Sequence, residues 1–371
     1  MPIVKTLSKA TKLEKEKFTI PKSVQDAIPI QRIWQDGIFQ IGSRFSKTFS
    51  FTDINYSIAG KEDKTAMFLD YSEFLNALDS GASAKITINN RRINKAEFES
   101  SLLLPMKEDG LDHFRKEYNE MLLSKVSGTN NSVVQDRYIT VTVAKRNIDE
   151  ARTYFSRVGT DLITHLSQLS SIGRELDAEA RLQVFRDFFK ADEPAAFPFN
   201  LKEQMKKGHS FKDWLCPDSM EFQKDHFRLN DRWGRVLYLQ GYASYIKDSM
   251  IAELCDMDRS LMLSIDILPV PTDEAVREIQ NKLLGVETNA ANWQRKQNAA
   301  KNFSAVLPYD MEQQRKETTE MLEDLTNRDQ RMMYGLVTLV HLADTREQLD
   351  SDTETILTTA RKHLCQMSVL R

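Results

Sequence analysis

The sequence predicts an α+β fold in which amphipathic helices cover mixed sheets. Stretches in which apolar and polar residues alternate and β-branched residues are frequent, such as 136–144, are typical of strands. Other stretches, such as 61–78, repeat apolar residues at helical spacing, which is typical of helices packed on a core. A long, highly charged helical stretch at 272–328 separates two apolar strands. Such an insertion suggests an arm that contacts a partner.

The remaining elements follow from the same two periodicities and from turn residues. Asp36 and Gly37 mark a turn between the first strands, and Asn147 or Asp149 begins a helix that runs to about residue 169. The predicted strands lie within 28–58, 84–93, 136–144, 235–239, 261–270 and 327–342. The other predicted helices cover 61–78, 111–125, 245–257, 272–328 and, with a cap near Asp344, 345–364.

Three parts are predicted along the chain. Residues 1–22 form a flexible basic tail, because they contain six lysines and only two glutamates. Residues 23–170 form a first α/β subdomain, and residues 171–371 form a second one that carries the helical arm at 272–328. The last residues, LCQMSVLR, resemble the beginning of another strand, which predicts a fragment of a longer protein.

The order strand, helix, strand, helix recurs in the two halves of the chain. It is found at 45–79 and 136–169, and again at 261–300 and 332–364. This recurrence predicts two related units within the α+β fold.

Composition places the chain among cytoplasmic globular proteins. Its 371 residues suffice for a large core, and a net charge of −3 gives no overall attraction to nucleic acid. The three cysteines are widely spaced and form no CxxC pair, which favours free thiols in a reducing compartment. The N-terminus has no apolar stretch long enough for a signal peptide. The sequence therefore predicts a cytoplasmic protein that reaches a membrane only through partners.

No catalytic or cofactor-binding residue is predicted. A phosphate-binding loop requires GxxxxGK[ST], and the only Gly-Lys pair, Gly60-Lys61, is followed by Glu62. Asp266 follows an apolar stretch, like an acidic residue at the end of a nucleotide-site strand. Without a phosphate-binding loop, however, an Asp at a strand edge or a hydrogen-bonded Asp is the favoured interpretation.

No metal site is predicted either. His209, Cys216 and His226 share one loop-rich region, but a persuasive fourth ligand is missing, so packing and surface roles are favoured.

Basic and aromatic residues alternate in the predicted arm, where Trp293 is followed by Arg295 and Lys296. These three residues are the candidate partner contacts, and Arg91-Arg92 forms a second small basic spot. Such groups could bind single-stranded nucleic acid by stacking and charge neutralisation. A helix anchored by Trp293 to its own core or to a protein partner is favoured, because the following helix is rich in glutamate.

Several long segments resemble one family of DNA-transfer motors. They are 269–342, 244–267, 55–81 and 85–99, which include SYIKDSMIAELCDMDRSLMLSIDI and KITINNRRINKAEFE. These segments are similar to the VirB/TraE-type (CagE/TrbE/VirB) conjugation ATPases of type IV secretion systems, of the kind found on Gram-positive conjugative elements. The resemblance extends from about Ser23 to the end of the sequence.

The resemblance implies the non-catalytic part of such a motor. In that family a mixed α/β N-terminal region precedes a RecA-like ATPase domain, which binds ATP and magnesium. This sequence ends at Arg371 without the phosphate-binding loop, so none of the nucleotide-binding residues has a counterpart here. The implied roles are docking to inner-membrane channel proteins, self-association and regulation of the motor. A single-stranded DNA-binding module that guides substrate to the motor is the alternative.

Overall fold

The computed structural model describes most of the chain. The predicted basic tail lies outside the described residues, apart from its last two positions. The described residues are 21–54, 56, 58–92, 103–128, 133–190, 200–243, 246, 248–302, 306–328 and 330–371.

Twelve strands form one sheet, and all strand pairings among the described residues are antiparallel. The strands are β1 (Arg32–Ile33), β2 (Phe39–Ile41), β3 (Arg44–Phe51), β4 (Ala82–Arg92), β5 (Val133–Ala144), β6 (Gly173–Glu175), β7 (Met220–Phe222), β8 (Phe227–Leu229), β9 (Arg232–Gly241), β10 (Leu261–Pro269), β11 (Met333–Ala343) and β12 (Gln366–Val369). Their order across the sheet is β1-β2-β3-β5-β4-β10-β11-β9-β8-β7, and β6 and β12 pair with β3 and β9.

Helices connect most of these strands, which confirms the predicted α+β class. The described helices are α1 (Val24–Ala27), α2 (Lys61–Asn76), α3 (Asp112–Gly128), α4 (Ile148–Gln168), α5 (Ala178–Phe189), α6 (Leu201–Lys206), α7 (Phe211–Leu215), α8 (Asp248–Cys255), α9 (Thr272–Ala299), α10 (Tyr309–Asn327) and α11 (Arg346–Lys362).

Side-chain caps determine where the two long helices after β5 and β11 begin. Asn147 accepts a hydrogen bond from the backbone N–H of Glu150 at the start of α4, and Thr345 accepts one from Gln348 at the start of α11. Each cap satisfies an N–H group that has no partner within the helix. The structure therefore selects Asn147 between the two predicted caps, and the cap predicted near Asp344 is Thr345.

The chain contains the same series of elements twice. A two-stranded hairpin is followed by a strand, a helix, a strand, a helical connection, a strand, a helix and a short strand. We call residues 32–175 the first repeat and residues 220–369 the second repeat, and α5–α7 lie between them in the chain. The long strands have the order β3-β5-β4 in the first repeat and β9-β11-β10 in the second.

Strand register gives a residue-by-residue equivalence between the repeats. Ala82 begins β4 and pairs with Val143, whereas Leu261 begins β10 and pairs with His341. Val143 and His341 each lie four residues before the N-cap of the following helix. The two repeats therefore share one register as well as one topology.

A pseudo-two-fold axis relates the repeats at the centre of the sheet. β4 and β10 are adjacent and antiparallel, and Ile86 pairs with Ile265. These two isoleucines occupy the same position of their strands, so the axis passes between them. The repeats thus pack like the two subunits of a dimer whose sheets have joined.

Helices cover one face of the sheet through two apolar clusters. In the first repeat, Phe155 and Leu162 of α4 pack in one cluster with Phe49 of β3. In the second repeat, Ile356 of α11 belongs to one cluster with Leu339 of β11. Each of these side chains is at most 1% exposed. Burying one such side chain contributes about 1.5–3 kcal/mol, so these clusters hold the helices on the sheet.

Helix α5 lies against the opposite face of the first repeat. Arg181 is buried, donates hydrogen bonds to the backbone oxygens of Gly37 and Ser46, and lies 4.1 Å from the centre of the Phe39 ring. Gly37 has a φ of +77°, and a Cβ atom there would lie 2.0 Å from the backbone oxygen of Leu176. The predicted turn at Asp36-Gly37 therefore needs glycine both for its conformation and for this close approach.

Several predicted elements differ from the structure in extent or number. The helix predicted at 245–257 ends at Cys255, and the helix predicted at 61–78 ends at Asn76. Each repeat has three long strands followed by helices rather than two. The order of the predicted units matched 45–79 with 261–300, and this match is wrong. The strand register shows that 45–79 is equivalent to β9 and α8. The strand predicted at the end of the sequence is confirmed as β12.

Candidate interaction surface

The predicted arm is an antiparallel pair of helices, α9 and α10. Pro271 and Pro308 occupy the N-cap positions, and acidic residues follow in both first turns, where they interact favourably with the helix dipole. The predicted bounds of 272–328 therefore agree with the structure to within one residue. The chain reverses direction between Ala299 and Tyr309.

The base of the arm packs on the core. Ala275, Ile279 and Leu325 form a buried cluster with Val270 at the end of β10. The hydroxyl of Tyr334 on β11 donates a 2.6 Å hydrogen bond to Glu278. Desolvation first, and then this hydrogen bond, raises the pKa of Tyr334 to about 12. The base is therefore fixed to the sheet by apolar packing and by one polar contact.

Beyond its base the arm projects away from the rest of the protein. No described residue between 280 and 317 is buried. At 1.5 Å per residue, the part of α9 that follows Ile279 extends about 30 Å. Along this part the less exposed residues recur three or four positions apart, which is the spacing of a two-helix seam; they are Leu283, Val286, Ala290, Trp293 and Gln297.

Trp293 on α9 faces α10, the other helix of the arm. It lines a groove of about 340 Å³ together with Leu307 and Arg315, and its side chain is half-buried. Arg295 and Lys296 are exposed, and no ion pair joins either of them to another described residue. Of the three predicted contact residues, Trp293 therefore stabilises the arm itself, while Arg295 and Lys296 are available to a partner.

Charge is divided between the stem and the tip of the arm. We call residues 290–316 the tip and residues 272–289 and 317–328 the stem. The tip contains five basic residues (Arg295, Lys296, Lys301, Arg315 and Lys316) and two acidic ones (Asp310 and Glu312). The stem contains three basic residues (Arg277, Lys282 and Arg328) and eight acidic ones (Asp273, Glu274, Glu278, Glu287, Glu317, Glu320, Glu323 and Asp324). The tip is thus positive and the stem negative.

Three other residues that the sequence offered as possible site residues make contacts within the fold; they are Asp266, Arg91 and Cys216. Asp266 lies within β10, which has a neighbouring strand on each side, and it forms a 3.3 Å ion pair with Lys85 of β4. Arg91 forms an ion pair with Asp136 at 2.7 Å, and the side chain of Arg92 lies outside the described part. Cys216 is buried in an apolar cluster. Within the described residues, no three His, Cys, Asp or Glu side chains are placed to hold a metal ion.

A charged network in the second repeat was not predicted. Asp225 accepts hydrogen bonds from Arg346 (3.0 Å) and Arg235 (3.4 Å) and lies 2.8 Å from Nδ1 of His226. Asp350 accepts a 2.8 Å hydrogen bond from Arg235. The hydrogen bond with His226, followed by the charges of the two arginines, lowers the pKa of Asp225. These contacts join the β7–β8 hairpin to α11.

The network continues into the core. Nη1 of Arg235 donates a 2.8 Å hydrogen bond to the hydroxyl of Thr353, and Nε2 of His341 lies 3.1 Å from the same oxygen. That hydroxyl donates its own proton to the backbone oxygen of Leu349, so Nε2 of His341 is the donor in the remaining contact. Burial lowers the pKa of His341 to about 4. His341 is therefore neutral at neutral pH.

A second helical connection exposes apolar side chains. α3 links β4 to β5, as the arm links β10 to β11. Its side chains Phe114, Tyr118 and Met121 are at least 42% exposed and lie three or four positions apart. The amphipathic pattern predicted for 111–125 therefore presents an apolar stripe to solvent along these three positions.

Comparison with protein-family models finds no match for this chain, and comparison with curated proteins finds none either. Of the helices described, none has the length together with the apolar character that crossing a bilayer requires.

Proposed function

We propose that this chain is the N-terminal docking and assembly module of a conjugation ATPase of type IV secretion systems, without hydrolytic activity in isolation. The observation that carries the proposal is the arm, whose base is fixed in the core and whose positive tip is exposed. The family resemblance of the sequence supplies the identity of the machine. The sequence lacks the GxxxxGK[ST] loop, so ATP and magnesium belong to the family's motor domain and not to this chain.

In this proposal the partners are channel proteins of the inner membrane, together with further copies of the chain. The protein works in the cytoplasm and reaches the inner face of the cell membrane through these partners. Arg295 and Lys296 contact the partner directly, and Trp293 holds α9 and α10 in the geometry that presents them.

A pull-down of purified channel proteins in neutral detergent tests the proposal. We expect the full chain carrying Arg295→Glu and Lys296→Glu to lose at least about tenfold in affinity, because each change replaces a contact by repulsion. Arg277→Glu with Lys282→Glu makes the same change in charge on the stem and serves as the matched control. Equal binding by the tip variant and the unaltered chain would remove the arm as the docking surface.

The positive tip also favours a second candidate function, the guidance of single-stranded DNA to the motor. Five basic residues near one end of the arm could contact the phosphates of a strand. Fluorescence anisotropy with a labelled oligonucleotide should then show binding that weakens steeply as salt is added. Absence of binding at low salt would exclude this function.

A further inference from the structure

Exposed apolar side chains lie at the far end of the arm, where the chain passes from α9 to α10. Val306 is 81% exposed and Tyr309 is 77% exposed, whereas Leu307 faces the groove beside Trp293. Val306 lines a surface groove together with Arg315 and Lys316, and Asp310 and Glu312 follow Tyr309 in the chain, so the basic residues of the tip outnumber the acidic ones around these side chains. The far end of the arm therefore combines apolar side chains, which avoid water, with positive charge.

The division of charge gives the arm a preferred orientation towards a negative surface. The excess positive charge is confined to the tip, and the stem is acidic on both helices. The Debye length at physiological salt is about 8 Å, which is shorter than the projection of the arm of about 30 Å. The acidic residues near the base therefore do not cancel the field at the tip. They would repel a negative surface that approached the stem from the side.

We propose that the tip of the arm binds an anionic membrane surface end-on, with Val306 and Tyr309 inserted at the level of the lipid headgroups. Lys296, Lys301 and Arg295 then contact the lipid phosphates, since basic residues near anionic lipid contribute binding that salt screens. This inference goes beyond the proposed function, because it requires lipid alone and no channel protein.

The same tip suits lipid better than nucleic acid. Single-stranded nucleic acid binds through aromatic side chains that stack on the bases. Among the described residues of the tip, Trp293 is half-buried against α10, which leaves Tyr309 as the one exposed aromatic ring, whereas a strand of several bases stacks on several such rings. Val306, the exposed large apolar side chain among the described residues of the connection, is thus suited to a lipid interface and not to stacking.

Vesicle co-sedimentation with the full chain tests this inference. The vesicles are phosphatidylcholine alone, or phosphatidylcholine and phosphatidylglycerol in equal parts. We expect binding to the anionic vesicles only, with a loss of at least about tenfold for Arg295→Glu with Lys296→Glu, because the net charge of the tip is reversed. Arg277→Glu with Lys282→Glu on the stem should bind about as well as the unaltered chain.

A second variant separates insertion from charge. Val306→Ser with Tyr309→Ser keeps every charge and lies outside the packed seam, so it should fold normally and weaken vesicle binding severalfold. Binding to a labelled oligonucleotide should not change in this variant.

The inference is overturned if the chain binds no anionic vesicle, if the stem variant loses as much vesicle binding as the tip variant, or if the chain binds only the oligonucleotide. Because the channel-protein pull-down uses neutral detergent without anionic lipid, it succeeds or fails independently of this test.

Discussion

The two repeats share topology and register but differ in what fills equivalent core positions. Phe45 pairs with Val143 in the first repeat, and Arg235 pairs with His341 at the equivalent place in the second. The first site is apolar, whereas the second holds a buried arginine and a buried histidine. The scaffold thus accepts either chemistry, and in the second repeat Arg235 and Nε2 of His341 share the hydroxyl of Thr353 as acceptor.

The difference in core chemistry accompanies a difference in how the outer hairpins are held. In the first repeat, α5 holds the β1–β2 hairpin by burying Arg181 and by stacking Phe185 on Phe39. In the second, Arg235 reaches from the core to Asp225 at the β7–β8 turn. Added helices and an ionic network are two solutions to the same problem, which is to fix a short hairpin at the edge of a sheet.

The repeats also differ in the connection between their second and third long strands. The first repeat has α3, with its exposed apolar stripe, and the second has the two-helix arm with its positive tip. The pseudo-two-fold axis places these connections at opposite ends of β4 and β10. The repeats therefore also vary in a connection that the pairing of the long strands does not constrain.

The largest expected effect on stability concerns equivalent positions of α4 and α11, the helices that cover the two cores. Phe155→Ala removes a side chain that is 0% exposed, so we expect a loss of about 3–5 kcal/mol in the free energy of unfolding. Thr353 is the equivalent residue, and Thr353→Ala should cost about 1–3 kcal/mol by leaving Arg235 and His341 without their shared acceptor. Urea unfolding measures both. A larger loss for Thr353→Ala would show that polar contacts dominate the second core.

Acidification should weaken the second repeat through His341. Its pKa is about 4 in the folded protein and about 6.5 when unfolded, so the unfolded state binds the proton first as the pH falls. Stability is therefore complete above the unfolded value and is lost between about pH 6.5 and pH 4, with a loss of about 2 kcal/mol between pH 7 and pH 5.

Replacing His341 by the residue found in the first repeat provides the control. His341→Val should remove this part of the pH dependence, whereas Val143 already occupies the equivalent position of the first repeat and contributes none. Urea unfolding at the two pH values gives the comparison. Equal pH dependence in the variant and the unaltered chain would mean that other groups cause the loss.

An effect of similar size should be shared by the two residues on the pseudo-two-fold axis. Ile86 and Ile265 pair with each other and are both half-buried. Ile86→Ala and Ile265→Ala should each cost about 1–3 kcal/mol, and the two values should agree within about 0.5 kcal/mol because the surroundings are equivalent. Chemical denaturation of the two variants side by side checks this, and clearly unequal losses would argue against symmetric packing at the axis.

The smallest effect is expected at Asp266. Its ion pair with Lys85 spans two side chains that are 41% and 47% exposed, so Asp266→Asn should change stability by less than about 1 kcal/mol. The change should shrink further as salt is added. A thermal unfolding curve at two salt concentrations is sufficient. A large, salt-independent loss would assign Asp266 a role beyond this surface pair.

Local sequence patterns predicted much of this architecture, and long-range pairing explains most of what they missed. The arm was predicted within one residue because Pro271 marks the start of its first helix and charge covers its surface. The pairing of β4 with β10 could not be predicted, since strand register depends on partners distant in sequence. For the same reason, the predicted strand–helix unit at 45–79 was matched with 261–300 instead of with β9 and α8.

The charged network and the role of Trp293 needed three-dimensional information. Arg235 lies in a strand where alternation alone does not say which face is buried, and it points to the same face as Leu237. Its partners Asp225 and Asp350 come from a turn and a helix far apart in the chain. Trp293 appeared as a partner contact because sequence gives a helical face but not the helix that covers it.

Hydrogen–deuterium exchange of the full chain, alone and with channel proteins in detergent, tests most directly whether contact is made through the arm and not through the equivalent connection of the first repeat. Slower exchange at 290–302 and 306–316, with α3 unchanged, is the predicted result. Slower exchange in α3, with the tip of the arm unchanged, would contradict the account.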